Sequence, residues 1–146
     1  GQIELFAFRA SGPYFVSNLQ ADNKATVFAF DGTLVSSPIN FVSISLLASA
    51  VKLRLKTAQV NALTKRDLVI DRLKDILDWA ASAQALESAL NVEKDAEYSL
   101  LSKDLSRSMT RAGFAPGLVA VSSTTMNGLV NVAAALARTL NQGEDG

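Results

Sequence analysis

Two periods of apolar positions divide the chain. In the first third, apolar residues alternate with polar or small ones. Turn-forming groups cut the runs at Ser11-Gly12-Pro13, Ala21 to Lys24, Asp31-Gly32 and Pro38. A period of two in aromatic and β-branched stretches predicts strands at 2–9, 14–20, 25–30 and 33–37. Asp31-Gly32 predicts a two-residue hairpin turn, because both central residues of a type I′ turn need positive φ. The runs Phe41–Leu46 and Val51–Lys56 also alternate, which extends the strands through 39–57. Ala48, Ala50 and the leucines of that stretch would also suit a helix.

From Thr64 the period becomes 3.6. Thr64 is placed to cap a helix, with Asp67 at the capping-box position and a stripe of Val69, Leu73, Ile76, Leu77 and Ala80. A second helix is expected over about 92–112. Tyr98, Leu101, Leu105 and Met109 face inward there, and Lys103, Arg107 and Arg111 face outward. Gly113 ends it in the left-handed conformation, with Phe114 supplying the apolar contact. Leu118–Val121 reads as a short strand, 125–141 as a buried helix and 142–146 as a polar tail. The expected fold is α+β in a single domain, 1–146. Strands dominate 1–57 and helices 64–141. An N-terminal antiparallel β-meander of four to six strands packs against two or three C-terminal α-helices.

Composition removes several chemistries. The chain has neither Cys nor His. That excludes disulfides, the usual zinc sites, thiol nucleophiles and imidazole bases. Fourteen basic residues balance fourteen acidic ones, so no global field favours nucleic acid or a membrane surface. Residues 118–137 carry no charge, but Ser122 to Thr125, Asn127, Gly128 and Asn131 dilute the segment, and no membrane span is expected. The compartment is not legible.

The string Val27-Phe-Ala-Phe-Asp-Gly-Thr-Leu-Val35 resembles the first motif of the haloacid dehalogenase-like phosphatases. Asp31, Gly32 and Thr33 match its second half. The resemblance implies a nucleophilic aspartate at position 29, where this chain has Ala29. A methyl group can neither attack phosphorus nor hold magnesium, so no phosphatase activity is expected. Asp67, Asp71, Asp75 and Asp78 share one helical face, but that face lies opposite the apolar stripe and reads as solvated. No Walker loop and no Gly-x-Ser-x-Gly occurs. No catalytic residue, metal or cofactor is therefore expected.

Two surfaces remain. Lys52, Arg54, Lys56, Lys65 and Arg66 give residues 52–66 five positive charges and no negative one. On a strand, the first three would share one side and could hold phosphates. Phe6, Phe8, Phe28 and Phe30 could supply stacking faces beside them. Leu68, Trp79 and Leu86 form a flank about 120–140° from the centre of the first helix's stripe at 3.6 residues per turn, which suits a subunit interface. The leading expectation is a non-catalytic binding or assembly protein forming a homo-oligomer, most simply a two-fold dimer. Beside it stand a binder of single-stranded nucleic acid or another polyanion, possible but not favoured, and a carrier of an apolar ligand.

Overall fold

A strand–helix–strand crossover forms the centre of the molecule. The computed structural model describes residues 3, 7–18, 24–114, 117–121, 134–135 and 137–138. In chain order the elements are α1 (Ser11–Ser17), β1 (Ala25–Asp31), α2 (Pro38–Leu55), β2 (Ala58–Thr64), a 3-10 turn (Arg66–Leu68), α3 (Leu73–Ala81), α4 (Ala83–Asn91), α5 (Ala96–Arg111) and β3 (Leu118–Ala120). The strands make one sheet in the order β1-β2-β3. Both pairings are parallel. Ala25 faces Ala58 and Asp31 faces Thr64, while Asn61 faces Leu118.

The antiparallel meander is thus corrected to a mixed α/β fold on a three-stranded parallel sheet. Among the described residues, only 25–30 of the first four predicted strands is a strand. Residues 14–17 belong to α1, and 33–37 form a turn and bend. Of 2–9, the described residues Ile3, Ala7 and Phe8 are helical and Arg9 lies in a bend. Asp31-Gly32 closes no hairpin, because the chain leaves β1 for a crossover helix and β2 returns in parallel.

The largest reversal is α2. Ser37 caps it, accepting a hydrogen bond from the Asn40 amide at 3.3 Å, and Pro38 occupies the first turn. Its buried residues Phe41, Ser45, Ala48, Val51 and Leu55 recur at helical spacing. Ser43 and Ser45 send their hydroxyls back to the carbonyls of Ile39 and Phe41, at 3.1 and 2.7 Å. A hydroxyl satisfied this way tolerates a helix interior, which is why the polar positions did not impose a strand. By length and composition alone α2 could cross a membrane, with 18 residues and mean hydropathy 1.3. Its buried face instead seats on the sheet, as the core helix of a crossover must. Lys56 ends it at φ 54°, its amide bonded to the Lys52 carbonyl.

An aromatic chain marks the core between sheet and helices. Ring centroids lie 5.4 Å apart for Phe28 and Phe30, 6.2 Å for Phe30 and Phe41, and 5.9 Å for Phe41 and Trp79. Helix α3 begins at Leu73, so Thr64 caps nothing and Val69 is buried in the preceding turn. Arg72 ties that turn to the other loop, donating to the Ser36 carbonyl at 3.1 Å.

Helix α5 starts at Asp95, whose carboxylate accepts from the Tyr98 amide. It ends as expected. Gly113 sits at φ 83°, with Phe114 N–H bonded to the Met109 carbonyl and Gly113 N–H to that of Thr110, the Schellman arrangement. The inward face differs, however. Tyr98 and Leu101 are exposed, while Ser99 and Ser102 are buried. Ser99 satisfies its hydroxyl on the Leu90 carbonyl of α4 at 2.6 Å. The short strand at 118–121 is present as β3. Most of the helix expected at 125–141, and the tail, lie outside the described residues.

Candidate nucleotide site at the carboxyl end of the sheet

Parallel strands end together, and the chain places charged residues where β1 and β2 stop. Asp31 is the last residue of β1, and Lys65 follows the last residue of β2. The register that pairs Asp31 with Thr64 brings both side chains to one point. Lys65 Nζ donates to Asp31 Oδ2 at 2.7 Å. The other carboxylate oxygen accepts from Thr33 N–H at 2.9 Å and from Thr33 Oγ1 at 2.6 Å, an Asx turn. These bonds, that from Lys65 foremost, hold the Asp31 carboxyl below its ordinary range. Asp31 is therefore an anion here, and its loop is ordered by its own charge.

The two loops are also locked through the backbone. Gly32 N–H donates to the Thr64 carbonyl at 3.0 Å. A Cβ at Gly32 would lie 2.8 Å from that carbonyl oxygen and 2.9 Å from Val69 Cγ2, so the close approach requires glycine. Lys65 adopts the left-handed conformation at φ 58°, and its carbonyl accepts from Leu68 N–H at 3.0 Å. This sharp turn starts the 3-10 segment that carries Asp67, an exposed carboxylate two residues beyond Lys65. Strand β3 ends on the same side, where Val121 N–H continues the ladder to the Leu63 carbonyl at 2.8 Å.

The residues singled out in the sequence separate into three places. Lys65 and Arg66 stand at this carboxyl end. Lys52, Arg54 and Lys56 do not share one side of a strand. They occupy the last turn and cap of α2, at the opposite end of β2. Seven strand residues part the groups, about 20 Å. Trp79 and Leu86 are buried inside the chain's own core, at 7% and 5% exposure, whereas Leu68 is 66% exposed on the 3-10 turn. The three form no common flank. Of the acidic row, Asp75 pairs with Arg72 and Asp78 with Lys74.

Sequence reasoning missed the association of Asp31, Thr33 and Lys65. The available signal was Asp31 directly after the apolar run Val27–Phe30, and Lys65 two residues after Leu63 at the end of a weaker run. The position at which the phosphatase resemblance needs a nucleophile is Ala29, within β1. Yet the helix and parallel strand that such a motif needs do follow it, contrary to the hairpin.

No curated protein matches the chain. A solved structure, the apo form of a GTPase from Pyrococcus abyssi, superposes with a TM-score of 0.80 at 20% identity. The match covers 95% of this chain and 55% of that one, so the chain spans about half the length of that relative, and the likeness is one of fold. A family model of nucleotide-binding character matches residues 1–142. It overturns the expectation of a non-catalytic assembly protein, and the apolar-ligand carrier finds no support beside it. The same findings lean against the expectation that the chain is not an enzyme, and neither bears on self-association. The family is described as that of a conserved hypothetical ATP binding protein, and with 142 residues matched the chain belongs to it.

Proposed function

We propose that this chain carries the base-recognising part of a nucleoside triphosphate site, and that the whole protein hydrolyses the nucleotide. The observation that carries the reading is the paired Asp31–Lys65 and the turn bearing Asp67, at the carboxyl end of a parallel sheet. Open α/β sheets bind ligands outside the carboxyl ends of their strands. The sequence has no Gly-x-x-x-x-Gly-Lys-Ser/Thr loop, so phosphate cradling of that kind is not assigned to these residues.

The chemistry of Asp67 favours guanine. Guanine presents two adjacent donors, N1–H and the 2-amino group. An ionised carboxylate is acceptor-only and can take both in a bidentate, charge-assisted pair. Adenine offers an acceptor at N1, which a carboxylate repels. Lys65 keeps two ammonium donors beyond the one given to Asp31. It also neutralises a carboxylate that would otherwise oppose an anionic ligand.

Titration of the full-length protein with fluorescent GTP and ATP tests the reading. GTP should bind more tightly than ATP. Lys65→Ala should weaken GTP about tenfold, near 1.4 kcal/mol. Tighter ATP binding, or an unaltered Lys65→Ala variant, would contradict the assignment.

A further inference from the structure

The amino end of the sheet carries cations of a different kind. Lys52, Arg54 and Lys56 are exposed, and among the described residues none of them makes an ion pair. The α2 carbonyl end favours positive charge, which accounts for cations on the helix but not for the concave surface around them. Two clefts open there, of about 750 and 690 Å³. Arg54, Lys56 and Lys24 line the first; Lys52 and Lys56 line the second. Leu53 borders both and is 76% exposed. No acidic side chain is among the described residues lining either cleft.

We propose that these two clefts form a docking surface for an extended acidic peptide segment of a partner protein, with an apolar residue between acidic ones. Charge complementarity is the first reason. The second is the order of the surface, in which an exposed leucine stands between cations, so the ligand must alternate likewise. A bilayer is flat and cannot enter two clefts. Stacked bases need open rings in series. Here Phe8 and Phe114 each have a cation of this chain over one face, Arg54 at 5.9 Å and Lys52 at 6.0 Å, and Tyr14 is the one exposed ring among the described residues lining the clefts. The surface is independent of the nucleotide site, being at the other end of β2.

Fluorescence anisotropy on the full-length protein tests it, with a labelled peptide of sequence Asp-Glu-Leu-Asp-Glu-Leu-Asp-Glu. Saturable, salt-sensitive binding is expected. K52Q/R54Q/K56Q should weaken it by at least about tenfold, the sum of three exposed charge contacts. Leu53→Ser, or Ser for Leu in the peptide, should weaken it severalfold. K103Q/R107Q/R111Q, which removes as much charge from α5, should leave it unchanged. GTP affinity, measured alongside, reports that each variant is folded. Absence of binding at low salt overturns the proposal, as does an equal loss with the α5 variant or no effect of Leu53→Ser. Tighter binding of an oligouridylate or of phosphatidylserine vesicles than of the peptide assigns the surface to nucleic acid or membrane and overturns it too.

Discussion

The two ends of the sheet hold cations in opposite ways. At the carboxyl end Lys65 is bonded to Asp31, in a loop pair drawn tight by Gly32. At the amino end Lys52, Arg54 and Lys56 extend from a helix terminus without carboxylate partners among the described residues. A neutralised charge in a tight loop positions a ligand, whereas an unneutralised one attracts it. Residues 52–66 look like a single basic segment along the chain, and folding divides it into two surfaces with different tasks.

The comparison can be broken from the core outward. Trp79→Ala removes the ring that closes the aromatic chain under α2 and should cost about 3–5 kcal/mol of stability. Denaturant titration should show this loss to be independent of protein concentration, as burial within one chain requires. Gly32→Ala pushes a methyl group against the Thr64 carbonyl, a backbone atom that cannot rotate away. About 1–3 kcal/mol should be lost, with GTP affinity falling in the same variant because the loops part.

A smaller effect follows from pH. The folded Asp31 carboxyl titrates below its unfolded value. Its contribution is therefore fully present above the unfolded pKa, near 3.9, and is lost as pH falls through the folded one. The pair is partly exposed, so no more than about 1 kcal/mol is involved. Asp31→Asn should flatten the stability curve below about pH 4, read by thermal melts across pH. The smallest effect sharpens the contrast. K52Q/R54Q/K56Q should leave GTP affinity unchanged, because those cations are a full strand length from the site.

Parts of this architecture were legible because local signals agreed with the tertiary fold. β1 showed true alternation, with Phe28 and Phe30 in the core. The end of α5 carried its glycine and the following Phe114. β2 gave no such signal. Val60, Asn61, Ala62 and Leu63 are buried in succession, as in a strand covered on both faces, and Asn61 broke the apolar run. Val51–Lys56 alternates on paper, but in α2 Val51 and Leu55 face the core and Leu53 faces out. The decision came from the crossover, which no window of six residues contains. The site was half visible. Asp31 and Lys65 were each singled out, but their meeting depends on the parallel register of strands 33 residues apart in sequence.

Base selection by Asp67 is the most direct measure of the account. Asp67→Asn replaces an acceptor pair with one acceptor and one donor. Xanthine differs from guanine by a carbonyl in place of the 2-amino group, so it complements the amide. Affinities of the full-length protein and of this variant for GTP and xanthosine triphosphate should be measured side by side. GTP should weaken by about tenfold or more in the variant, and xanthosine triphosphate should gain. An Asp67→Asn protein that binds both nucleotides as the unaltered protein does would contradict a base site at the carboxyl end of the sheet.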